Sequence, residues 1–103
     1  MPFLIDATDN EGQLAVRQRL RPDHLEYLNG RVHLLLAAGA KLSDDGSTPL
    51  GSFYLVDVEE RALAEAFIAA DPYMRNGVFG AVTVTRVRKG YFDFARQPAP
   101  VKA

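Results

Sequence analysis

The chain has 103 residues, room for one domain with a core of its own. Its 12 basic and 13 acidic side chains are mixed along the sequence for a formal charge of −1, so no basic stripe exists to neutralise phosphates, which argues against a nucleic-acid partner. With 48% hydrophobic and 24% charged residues the composition is that of a water-soluble globular protein, and the absence of cysteine removes disulfides, thiolate nucleophiles and thiolate metal sites together.

The opening MPFLIDATDNEG lacks a basic n-region and is not expected to act as a signal peptide. The longest apolar run, Leu34 to Ala40, falls far short of the ~20 residues of a membrane span. A cytoplasmic protein without membrane contact is the expectation.

Phe3 to Ala7 reads as a buried first strand. GQLAVRQRL allows a helical turn or two, and Pro22, best tolerated at a first helical position, starts the main helix near Arg21–Pro22. Leu25 and Leu28 then face the core, and Gly30 after Asn29 stops the helix. RVHLLLAAGAKL predicts strand two, SDDGSTP a turn, and GSFYLVDV a third strand that forms a hairpin with the second. Asp57 and Glu60 are spaced as an N-cap. Leu63, Ala66, Phe67 and Ala70 fall at i, i+3, i+4 and i+7, the apolar face of a second helix that Pro72 ends near Asp71. Gly77 closes a turn and VFGAVTVTRV is strand four. Residues 1–90 make the domain, and 91–103 a tail whose aromatic start (Tyr91, Phe92, Phe94) is expected to pack and whose proline-bearing end is expected to fray.

The order β-α-β-β-α-β predicts an α+β, ferredoxin-like fold: a four-stranded antiparallel sheet with two helices on one face. Strands two and four carry apolar side chains at neighbouring positions, Leu34, Leu35 and Leu36 among them, so the second sheet face also needs cover. A second copy of the chain supplies it most simply, and a homodimer is expected.

The search for chemistry is short. His24 and His33 are too few and wrongly spaced for a metal motif such as HExxH, and Gly39, Gly46 and Gly51 form no phosphate-binding string, so neither metal nor cofactor is expected. Ser43, Ser47 and Ser52 lie in no nucleophile elbow. Acid–base chemistry by histidine and carboxylate remains. With a helix starting at Pro22, His24 lies in its first turn, where the helix dipole favours neutral imidazole. Asp71, at the end of helix two, is a candidate to orient that ring and stabilise its cation. Plainer readings stand beside these. A first-turn histidine is commonly a surface residue, Asp-Pro commonly just opens a turn, and an arginine at a helix start such as Arg21 is commonly solvated. Asp9 turns or caps the chain after strand one, Tyr73 lines a pocket or covers a helix end, and His33 is an exposed strand residue.

Taken together, RPDHLEYL, LLLAAGAKL, PLGSFYLVDVE and ADPYMRNGVF resemble the YciI-like (YCII-related) protein family from about Phe3 to Val87. The carrying elements are Arg21-x-x-His24, Asp71-Pro72-Tyr73 and Gly77-Val78-Phe79, in family order and with compatible spacing. The resemblance implies a ferredoxin-like fold dimerising through its sheet, the dimeric α/β barrel, with a pocket centred on a histidine–aspartate pair. That pair maps onto His24 and Asp71, the family arginine onto Arg21, and the acid after strand one onto Asp9. It further implies a small-molecule substrate. One branch of the family is associated with cofactor-free elimination of hydrogen chloride from chlorinated hydroxylated aromatics, and relatives of similar fold include lactone isomerases and monooxygenases. The chain departs from the family pattern at Val87, where an aromatic residue is common, and in its tail.

Three functions follow as expectations. The first is a cofactor-independent enzyme in which His24 acts as acid or base, Asp71 orients it, and Arg21, Asp9 and Tyr73 hold the substrate. The second is a non-catalytic dimeric ligand-binding or accessory module. The third is a purely structural His24–Asp71 lock between helix ends.

Overall fold

In a computed structural model that describes residues 1–92, strand β1 (Phe3–Asp9) leads into helix α1 (Leu14–Asn29). A short 3-10 turn (Val32–Leu34) precedes the hairpin of β2 (Leu35–Leu42) and β3 (Pro49–Val56), and helices α2 (Arg61–Ala69) and α3 (Pro72–Arg75) precede β4 (Phe79–Arg86). The strands form one sheet in the order β2-β3-β1-β4 with every neighbouring pair antiparallel, which is the ferredoxin-like arrangement the element order predicts. No helix of the described residues is long and apolar enough to cross a membrane.

Strand alternation sets the two faces of the sheet. On β1, Phe3, Ile5 and Ala7 turn inward; their partners in register include Val56, Tyr54 and Ser52 on β3, and Val84 and Val82 on β4. Ala64, Phe67 and Ile68 of α2 complete this core, with Val16, Leu20, Tyr27 and Leu28 of α1 packed against it, so both long helices cover the same face. The opposite face carries Leu4, Asp6, Thr8, Phe53 and Leu55, with no helix over it among the described residues.

Several local expectations need correction. Helix α1 starts at Leu14, not near Pro22, and runs through the proline. A proline inside a helix costs about 3 kcal/mol, but here the first half of the helix is held by tertiary bonds of Arg17 and by Val16 and Leu20 against the core. His24 is consequently in the third turn, so the helix dipole has no hold on it. Leu25 is exposed while Leu28 packs. Strand two begins at Leu35 because Val32–Leu34 wind into the 3-10 turn, which puts His33 outside the strand but still exposed.

Glu60 is the N-cap residue of α2 through its backbone alone, and no side-chain capping bond forms there. The core face of α2 is Ala64, Phe67 and Ile68, rotated from the stripe the spacing suggests; only Phe67 belongs to both, and Leu63, Ala66 and Ala70 edge a shallow groove beside Tyr27 and Leu34. Tyr91 and Phe92 are exposed rather than packed, and Phe94 lies outside the described residues. Gly77 has φ +75° in its turn, as a turn-closing glycine should.

Gly51 has a stricter role. A Cβ built there would lie 2.1 Å from the Ala7 carbonyl oxygen and 2.6 Å from Cε of Lys41. The missing side chain lets Lys41 cross β3 to reach β1, where Nζ donates to Asp6 Oδ1 at 2.6 Å and Thr8 Oγ1 at 2.8 Å. Gly51→Ala is therefore expected to destabilise the domain by about 1–3 kcal/mol, the usual range for forced overpacking, read as a lower urea midpoint at unchanged m-value.

Candidate active site

The interior is unusual in burying charge. Arg17, Arg21 and His24 lie at i, i+4 and i+7 on α1, one face of the helix, and all three line a cavity of about 160 Å³ between α1 and the β2–β3 side of the sheet. Leu25 and Leu28 of α1, Ala38 to Ala40 of β2, Ser52 of β3 and Tyr73 of α3 complete its wall. This is below the roughly 300–1,000 Å³ typical of drug-sized ligands and fits a molecule of about one ring.

Asp71 lies behind the histidine with 0% exposure. Burying a carboxylate costs several kcal/mol unless donors surround it, and three converge here. His24 Nδ1 approaches its two oxygens at 2.8 and 3.0 Å, the Tyr54 hydroxyl donates to Oδ2 at 2.9 Å, and the Tyr73 amide donates to Oδ1 at 2.8 Å. The last bond is local: Asp71 is the N-cap residue of α3, with Pro72 at the first helical position. The Asp-Pro-Tyr triplet thus starts a helix and presents a carboxylate at once.

Because the carboxylate accepts from Tyr54 and Tyr73, the network assigns the Nδ1 proton to His24. Nε2 then turns toward the cavity; it has no hydrogen-bond partner among the described residues and is not sealed from solvent. The imidazole stacks on the Tyr73 ring with centroids 4.0 Å apart and an interplanar angle of 14°. This is the arrangement of a histidine held in one tautomer and one orientation with its second nitrogen free to exchange a proton.

A second buried cluster adjoins the first. Arg17, only 6% exposed, donates from Nε to Asp9 Oδ2 at 2.7 Å, from Nη2 to Asp9 Oδ1 at 3.2 Å, and from Nη2 to Ser52 Oγ at 2.6 Å. Its guanidinium also lies 4.6 Å from the centroid of the Tyr73 ring. Fork-to-carboxylate pairing of this kind fixes a guanidinium in place. Among the described residues no group of three His, Cys, Asp or Glu side chains could hold a metal.

The structure brings His24, Asp71, Arg21 and Tyr73 together at the cavity or just behind it. Asp9 does not line the cavity; its carboxylate is engaged by Arg17. Three residues escaped sequence reasoning: Arg17, Ser52 and Tyr54. The i, i+4, i+7 spacing of Arg17 with Arg21 and His24 was a usable signal, hidden by starting the helix at Pro22. Ser52, Tyr54 and Val56 alternate on the inner face of β3, so two polar groups at inward positions were a second signal.

Burial pushes the Tyr54 phenol far above the ordinary tyrosine value, and the neighbouring Asp71 charge pushes the same way. Tyr73 is also raised, by burial first, with the Arg17 guanidinium working against it. Above about pH 10 the unfolded chain loses these phenolic protons while the folded chain keeps them. Their stabilising effect is complete below that pH and is lost as pH rises beyond it, at up to about 1.4 kcal/mol per pH unit for each such tyrosine. Urea unfolding at a series of alkaline pH values is expected to show this decline, with a shallower slope in Tyr54→Phe.

Comparison with known proteins agrees with this architecture. The model of the YCII-related domain matches residues 1–88. Two proteins named Protein YciI, from Escherichia coli O6:H1 and from Shigella flexneri, are each 33% identical over 99 residues, covering 86% of this chain and 98% of theirs. Among solved structures, 5-chloro-2-hydroxyhydroquinone dehydrochlorinase from Burkholderia phenoliruptrix, in complex with 2,5-dihydroxybenzoquinone, superposes with a TM-score of 0.79 at 30% identity, over 85% of this chain and 94% of that one. A matching domain model over nearly the whole described chain, with relatives at 30–33% identity that are matched over 94–98% of their own length, places this protein in the YCII-related family.

Proposed function

We propose that this protein is a small cofactor-independent enzyme that uses His24 as general acid and base for elimination or isomerisation of a small polar or aromatic substrate. The observation that carries the reading is the His24–Asp71 pair: a buried carboxylate 2.8 Å from Nδ1, with Nε2 open to the cavity. Asp71 orients the ring and stabilises the imidazolium formed during turnover. Arg21, exposed at the cavity rim, attracts an anionic or hydroxylated substrate, and Tyr73 forms part of the wall through the imidazole stacked on it. Asp9 contributes through Arg17, which it holds at the cavity wall.

Likeness to a dehydrochlorinase favours a chlorinated hydroquinone as the substrate to try first. On such a ring, Nε2 takes a hydroxyl proton and returns it to the chlorine-bearing carbon. Chloride then leaves with the electrons of its C–Cl bond while a second hydroxyl gives up its proton. The net loss is hydrogen chloride, with no electrons passed to a redox partner. A positioned acid–base group contributes about 10²–10⁴-fold, so His24→Asn is expected to lower chloride release from 5-chloro-2-hydroxyhydroquinone by that factor while the fold is retained. Chloride release at the same rate in His24→Asn and in the parent protein would defeat the reading.

The same proposal includes a homodimer formed through the open sheet face. Phe53, Leu55 and Leu4 form an apolar strip there beside the paired Lys41 and Asp6, and nothing within the described chain covers it. Sedimentation velocity is expected to give a dimer for the parent protein. Phe53→Glu, which sets a charge into the strip, is expected to sediment as a monomer.

A further inference from the structure

The acid–base reading assigns Asp71 to His24, yet the carboxylate is shared. Tyr54 Oη donates to Oδ2 at 2.9 Å, the same oxygen that lies 2.8 Å from His24 Nδ1. Tyr54 is 1% exposed and sits edge-on to the imidazole, with centroids 6.3 Å apart at 65°, so it bonds the carboxylate rather than stacking on the histidine. A carboxylate stabilises an adjoining imidazolium less when a second donor already draws on the same oxygen. We propose that Tyr54 is a positioning residue that sets the proton affinity of His24 by sharing the Asp71 oxygen on which His24 depends.

The surroundings of His24 leave Tyr54 as the group best suited to such tuning. Asp71 and Tyr73 face it from α3, Tyr54 from β3, and Arg17 and Arg21 from its own helix, with Asp9 of β1 behind Arg17. Strand β2 offers only Ala38, Gly39 and Ala40. Of the Asp71 donors other than His24, the Tyr73 amide belongs to the backbone of α3, so among the described residues Tyr54 alone meets Asp71 through a side chain.

The catalytic consequence rests on the acid–base reading, but the test does not. In a pH titration followed through the imidazole nitrogen shifts, exposed His33 serves as internal reference. Tyr54→Phe is expected to move the His24 midpoint upward by about half to one pH unit, with His33 unmoved. Tyr27→Phe removes another buried-end phenol, bonded to the Phe67 carbonyl at 2.6 Å, and is expected to leave His24 where it is. Fluorotyrosine introduced at position 54 keeps the shape and strengthens the donor, so it is expected to move the midpoint downward even if Tyr54→Phe folds poorly. An unmoved His24 with fluorotyrosine at position 54, or an equal shift in Tyr27→Phe, overturns the proposal. The expected shifts without any chloride release uphold the tuning role and instead refute the proposed reaction.

Discussion

A carboxylate with no contact with solvent sits where β3, α1 and the start of α3 converge, and the interior is organised around satisfying it. Left unpaired, such a group would cost several kcal/mol, comparable with much of the stability of a domain this size. Three donors meet it, and they come from residues 47 and 17 positions away as well as from the local turn. One interaction thereby fixes the approach of α1 to α3, the orientation of the histidine ring and the position of the phenol on β3.

The same logic explains helix α1. Its inner side carries partly buried Val16, Leu20, Tyr27 and Leu28, but its most buried residues are Arg17 and His24. Each is anchored by a carboxylate, Asp9 for one and Asp71 for the other, so the helix is docked by two polar clusters seven residues apart. Aromatic rings join the clusters to the core: Tyr73 lies against His24, near the Arg17 guanidinium and edge-on to Phe79, while Tyr54 and Tyr27 both meet Phe67. Docking of this kind is directional in a way that apolar packing is not. It holds the His24 imidazole in one orientation at a cavity wall.

Those polar anchors also explain which features could be read in advance. Strand positions alternate with period two and their turns carry Gly, Pro and Asp, so β1, the β2–β3 hairpin, β4 and the antiparallel α+β fold were all legible. Helix α1 was not, because Pro22 is a strong local stop signal and the bonds that overrule it run to Asp9 and Ser52. The face of α2 was misjudged for a related reason. Its apolar residues extend around more than one side, and the sheet, not the spacing, selects Ala64 and Ile68 over Leu63 and Ala66.

For the site, the residues themselves offered His24 and Asp71 as a candidate pair, with Arg21 and Tyr73 as further candidates, because residue chemistry within short stretches survives without a structure; Asp9 entered only through the family resemblance. The sequence also determined the class of fold, since alternation and turn chemistry are local. Only the tertiary structure decided that Asp9 pairs with Arg17, that Arg17 lines the cavity, that Tyr54 bonds Asp71, and that His24 sits in mid-helix at the cavity wall. Those outcomes depend on which strands become neighbours and on where a buried charge finds its donors, and neither is encoded within any single stretch of the chain.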